Sequence, residues 1–146
     1  PLFWTCLPKA GSSNIKEQKK LINRFIKNFG TSQILGLLGD REFGSGGLFK
    51  WLNKKKIPFY IRIKEGSIAQ INKKKLFTAK KIFKDLNPNQ HTVFNMAVEV
   101  FGQLVFLAGS RSEKGELMIV ATNQKPKNAI PIYLRRWEVE CLFSAF

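Results

Sequence analysis

Four residues of this chain combine types and spacings from which chemistry can be built. Tyr133, Arg136 and Glu140 stand at i, i+3 and i+7, so a helix through them stacks a phenol, a guanidinium and a carboxylate in one column. Asp40 follows the apolar run Ile34 to Leu38, at the strand end where open α/β sheets present ligand-binding groups. Each pattern also has a plainer reading. Arg136 and Glu140 can form a solvated i,i+4 ion pair worth about 0.3–0.5 kcal/mol, and an Asp after a strand is an ordinary turn residue. Other chemistries lack their parts. Cys6 and Cys141 are the only cysteines and His91 the only histidine, too few for a disulfide framework or a Cys/His zinc site. Gly44-Ser45-Gly46-Gly47 is not followed by the Gly-Lys-Ser/Thr of a phosphate loop.

The elements that must position these residues alternate along the chain. Leu2 to Leu7 read as a short apolar strand. Asn14 with Glu17 makes a capping-box start for a helix whose Ile15, Leu21, Ile22, Phe25, Ile26 and Phe29 recur at helical spacing up to Gly30. Ile34 to Leu38 then suit a buried strand ending at Asp40. A glycine-rich loop leads into a short helix with Leu48, Trp51 and Leu52, and Ile57 to Ile63 give the next strand. Strand, helix, strand, helix, strand predicts an α/β fold. After Lys64 the pattern changes. Ser67 to Asn72 read as a strand and Thr78 to Leu86 as a short basic helix. Phe94 to Val100 and Leu104 to Ala108 read as a hairpin turning at Gly102-Gln103, and Leu117 to Ala121 as a further strand. Lys125 to Phe146 return to helix, with Pro131 tolerable only in its first turn.

Composition bounds the rest. The 146 residues suit one domain, and 44% hydrophobic residues with 13 Phe and 3 Trp exclude a disordered tail. Lys and Arg number 25 against 10 Asp and Glu, a formal charge of +15. Such a surplus favours nucleic acid or anionic surfaces as partners. The runs Lys54-Lys55-Lys56, Lys73-Lys74-Lys75 and Lys80-Lys81 can follow phosphates or be solvated surface. Trp4, Trp51 and Trp137 lie in apolar patterns and read as core. No apolar stretch reaches membrane-spanning length and no leader pattern opens the chain, so a cytoplasmic place is expected.

Asp40-Arg41-Glu42-Phe43 after an apolar strand, together with Tyr133-x-x-Arg136-x-x-x-Glu140, resembles the DDE transposases of bacterial insertion sequences. More narrowly it resembles the insertion-sequence family four type, with its Tyr-x2-Arg-x3-Glu-x6-Lys signature. Leu2 to Asn14, Ile57 to Gly66 and Leu107 to Arg111 also read like that family, so the likeness spans nearly the whole chain. It implies a ribonuclease-H-like α/β core over residues 1–64, a β-rich insertion over 65–122 and a final catalytic helix over 123–146. It further implies phosphoryl transfer on DNA by two divalent cations, Mg²⁺ or Mn²⁺, held by carboxylates. Asp40 would be the second carboxylate and Glu140 the third, both catalytic and metal-binding. Tyr133 and Arg136 would hold phosphates of the transposon end, a task suited to the planar fork of Arg. DNA is the implied partner, in a homodimer of the complete enzyme placed at the bacterial nucleoid.

The chain starts inside an apolar strand and stops inside a helix, which suggests a fragment truncated at both ends. The first Asp and the signature Lys would then lie outside it, and Glu42, Asp85 and Glu138 are poor substitutes for the missing carboxylate. On this reading the fragment alone is inactive. In the family's strand order 3-2-1-4-5 the strand at Leu2 would lack its neighbour and the strand ending at Asp40 would have an open edge. Poor solubility is the expected consequence. The alternative is a non-catalytic basic nucleic-acid-binding module, in which Asp40 and Glu140 are ordinary turn and helix residues.

Overall fold

The computed structural model describes residues 3–6, 15–29 and 34–136. Strand β1 (Phe3–Cys6), helix α1 (Ile15–Phe29), strand β2 (Ile34–Gly39), helix α2 (Gly46–Lys54) and strand β3 (Phe59–Ile63) follow the predicted alternation. Then come β4 (Ile68–Ile71), β5 (Lys75–Thr78), the short α3 (Ala79–Ile82), β6 (His91–Val100), β7 (Gln103–Arg111), β8 (Leu117–Thr122) and α4 (Ala129–Leu134). The eight strands among the described residues join one sheet in the order β1-β2-β3-β8-β7-β6-β4-β5. β1, β2 and β3 run parallel, as strand–helix–strand units require. From β3 onward every pairing is antiparallel.

Two expectations are corrected by these pairings. β2, which ends at Asp40, has no open edge, because β1 flanks it on one side and β3 on the other. β1 has β2 as its neighbour. Each helix crossover sets the next strand directly beside the last, so the premise of an exposed, aggregation-prone edge at Asp40 falls away. The β-rich segment is also continuous with the parallel strands. β8 returns to pair with β3 from Ile63↔Ile119 to Tyr60↔Thr122.

The central strands β2, β3 and β8 are buried on both faces, which explains why they are mostly apolar, with Arg62 the one charge among them. Leu37, Ile61, Ile63, Ile119 and Ala121 point into one core with Ile22 of α1 and Leu48, Phe49 and Leu52 of α2. Leu38, Tyr60 and Val120, their neighbours in sequence, point into the other with Ala129, Ile130 and Tyr133 of α4. α2 begins where Ser45 Oγ accepts the Leu48 N–H at 3.2 Å, an N-cap. Its Phe49 ring stacks on Phe59 with centroids 4.6 Å apart. Burying each such ring contributes about 1.5–3 kcal/mol. The start of β3 is held by Asn123, whose Oδ1 accepts the Phe59 N–H at 3.0 Å. Its Nδ2 donates to the Ile57 carbonyl at 3.0 Å and to Asn53 Oδ1 at 2.9 Å.

Three local expectations shift. The basic helix is only Ala79–Ile82, continuing as turns through Leu86. The β6–β7 turn is centred on Phe101-Gly102, with φ of 53° and 79°. The start of the last helical segment is a 3-10 turn at Pro126–Asn128 followed by α4, with Pro131 in its first turn.

Candidate active site

Asp40 follows the last residue of β2 in extended conformation (φ −73°, ψ 169°) and caps a 3-10 turn over Arg41–Phe43. Its Oδ1 accepts the Arg41 N–H at 2.7 Å, and its carbonyl accepts the Phe43 N–H at 2.9 Å. Buried Phe43 anchors the turn in the first core. The loop beyond is pinned by the β6–β7 turn, because a Cβ on Gly46 would lie 2.3 Å from the Phe101 carbonyl oxygen. Asp40 is therefore held by backbone on both sides. Side chains alternate along a strand, so Asp40 shares the face of Leu38, the face that carries α4.

On α4, Tyr133 is 4% exposed and packs in the second core, and Arg136, two residues past the end of α4, is 7% exposed. Leu134 on the outer side is exposed. The Tyr133 and Arg136 side chains are both buried. Glu140, Trp137 and Glu138 lie outside the described residues. Glu42 is exposed beside Asp40, and Asp85 is exposed in the turns after α3. Trp51 packs against the first core as expected.

Beside Arg41, the residue after Asp40, at the carboxyl ends of β3 and β7, opens a cleft of about 1000 Å³. Its wall carries Arg41, Arg62, Lys80, Lys81, Lys84 and Arg111, with Glu65 and Glu116 as the acids. Of the three lysine runs, only Lys80-Lys81 lines it. Lys54-Lys55-Lys56 closes α2 and leads into the opposite end of β3, and Lys73-Lys74-Lys75 covers the β4–β5 turn and the start of β5. Arg62 and Lys84 escaped the sequence reading. Arg62 had a signal: it is the one charge in the apolar strand Phe59–Ile63.

Asp40 offers a hard oxygen donor with lone pairs beyond the one that Arg41 occupies, which suits a hard divalent cation. Among the described residues no three His, Cys, Asp or Glu side chains converge on a possible metal position, so Asp40 fits as one ligand of a set and not as a site by itself. No described helix is long and apolar enough to cross a membrane.

Comparison with known proteins bears on what such an arrangement does. A search of curated proteins returns no match. A family model described as the transposase DDE domain matches residues 8–146. Members of that family are DNA phosphoryl-transfer enzymes that act with divalent metal ions and take DNA as substrate. With all but the first seven residues matched, the chain belongs to the transposase DDE-domain family.

Proposed function

We propose that the chain is the catalytic region of an insertion-sequence transposase of the family four type, cleaving DNA strands and joining the freed 3′-hydroxyl to a target. Asp40 and Glu140 are its metal-holding carboxylates, with Mg²⁺ or Mn²⁺ as the ion. The observation that carries this reading is the position of Asp40, fixed at the carboxyl end of a buried parallel strand, on the α4 face and one residue before Arg41 of a cationic cleft.

The divalent ions, when bound, activate the attacking oxygen and stabilise the leaving one. The chain's own residues do the positioning. The Arg41 N–H at 2.7 Å orients the Asp40 carboxylate. β8 runs antiparallel to β3 and leaves the chain at the end of the sheet remote from Asp40, so a segment returning over the α4 face travels toward Asp40. Glu140 stands four residues beyond Arg136 in the chain. Buried Tyr133 seats α4 on the sheet, and the Arg136 fork supports phosphates of the transposon end. The complete enzyme acts as a homodimer on DNA in the bacterial cytoplasm.

Metal-dependent nicking of transposon-end DNA by the complete protein tests this assignment. Asp40→Asn and Glu140→Gln each abolish nicking while leaving salt-sensitive DNA binding in place. Variants that nick as fast as the parent would reduce both residues to turn and helix positions, as in a non-catalytic binding module.

A further inference from the structure

The cleft beside Arg41 is built differently from a small-molecule site. Such sites are mainly apolar with a few polar groups, whereas this one sets six cationic side chains against two carboxylates. Its far wall is α3 and the turns that follow, and that wall is fastened at four points. The Ala79 and Lys80 N–H groups donate to the carbonyls of Ser67 and Glu65 at 2.7 and 2.8 Å. Phe83, 3% exposed, lies so close to β7 that a Cβ on Gly109 would sit 2.6 Å from its ring. Arg111 then ties the end of the wall down. Its Nε donates to the Leu86 carbonyl at 2.6 Å, one Nη to the Gly115 carbonyl at 2.8 Å and the other to the Phe83 carbonyl at 3.4 Å.

Arg111 is thus occupied on three sides by backbone, while Lys80, Lys81 and Lys84 are exposed. The guanidinium is structural, the Lys80 and Lys84 ammonium groups are open, and that of Lys81 lies over the Phe77 ring, 5.5 Å from its centroid. Exposed lysines on a wall so fastened, lining one cleft with Arg41 and Arg62, suit a polyanion whose charges repeat along its length. Duplex DNA presents a phosphate every 3.4 Å or so along each strand.

We propose that this cleft carries the sugar–phosphate backbone of duplex DNA past the Arg41 turn that follows Asp40, with Lys80, Lys81, Lys84, Arg41 and Arg62 lining the path and Arg111 as a positioning residue that does not touch DNA. The two other lysine runs lie off this path. The proposal rests on the reading of Asp40 as part of a DNA-cleaving site, and it adds which face the substrate crosses.

The test is the salt dependence of duplex binding by the full chain, read as the slope of log K against log salt. Each lost phosphate contact flattens that slope by about 0.9. Changing Lys80, Lys81 and Lys84 together to Gln flattens it by about 2.7, and changing Lys54, Lys55 and Lys56 to Gln leaves it within about 0.9 of the parent. Arg111→Met flattens the slope by releasing the wall, and added to the triple variant it causes no further change. A further loss of about 0.9 in that combination would place Arg111 on a phosphate and overturn its positioning role. An unchanged slope in the α3 triple variant, or displacement of DNA by inorganic phosphate at matched ionic strength, overturns the cleft path. Metal-dependent nicking by the parent separates the two claims. If the parent nicks and the α3 variant keeps its slope, the cleft fails and the catalytic reading stands. If the parent neither binds nor nicks, both fall.

Discussion

Replacing Gly109 by Ala tests how firmly α3 is seated on the sheet. Gly109 is paired on both sides, with Thr92 of β6 and Ile119 of β8, so its backbone cannot retreat. An added Cβ meets the Phe83 ring at 2.6, 2.7 and 3.0 Å, where carbon atoms rest at about 3.5–4.0 Å. The ring must withdraw by about 1 Å, yet Phe83 is buried in the first core and the carbonyls of Phe83 and Leu86 are held by Arg111. Overpacking of this kind costs about 1–3 kcal/mol. In a chain of this length that lowers Tm by roughly 3–10 °C, readable by circular dichroism during heating. Phe83→Leu removes the clashing ring edge, so the double variant is more stable than the sum of the two single losses predicts. A Gly109→Ala protein that melts with the parent, or strict additivity with Phe83→Leu, would refute the seating of α3 on β7.

Two further outcomes follow from the opposite end of the sheet. Asn123→Ala removes four hydrogen bonds and leaves the Phe59 N–H and Ile57 carbonyl without their side-chain partner. A loss of about 2–4 kcal/mol is expected, measured as a lower urea midpoint at unchanged m-value. Burial raises the Tyr60 phenol above its ordinary value of 10.0, with the Thr122 hydrogen bond pulling the other way. The unfolded chain therefore gives up this proton first. The stability tied to neutral Tyr60 is complete below about pH 10 and is lost as pH rises through the folded value. Tyr60→Phe flattens the alkaline fall of Tm, and an equally steep fall in the variant contradicts the assignment.

The parallel half of the fold was legible because its physics is local. Apolar periodicity marks α1, and mostly apolar runs mark strands covered on both faces. The turns were harder. The β4–β5 turn places Asn72 and Lys73 at positive φ, and the β6–β7 turn does the same with Phe101 and Gly102. Two left-handed residues in succession suit a tight hairpin, but Lys and Phe do not announce that conformation as Gly does, so β5 was missed and the second turn misplaced by one residue. The β3–β8 pairing joins residues nearly sixty positions apart, and no local pattern encodes it. At the site, Asp40 was legible from its place after an apolar run. The cationic cleft was not, since Arg62, Lys84 and Arg111 converge only through tertiary packing. Arg111 in particular looks like any strand-end cation until its three carbonyl partners are seen.

The central claim is that Asp40 and Glu140 meet at one metal position. Substituting Fe²⁺ for Mg²⁺ and generating hydroxyl radicals with ascorbate and peroxide cuts the backbone wherever the ion sits. The account predicts two sets of cuts, one around residue 40 and one around residue 140, both suppressed by Mg²⁺ and both lost in Asp40→Asn. Cuts near residue 40 that persist in Asp40→Asn, or cuts confined to one of the two positions, would contradict a shared site.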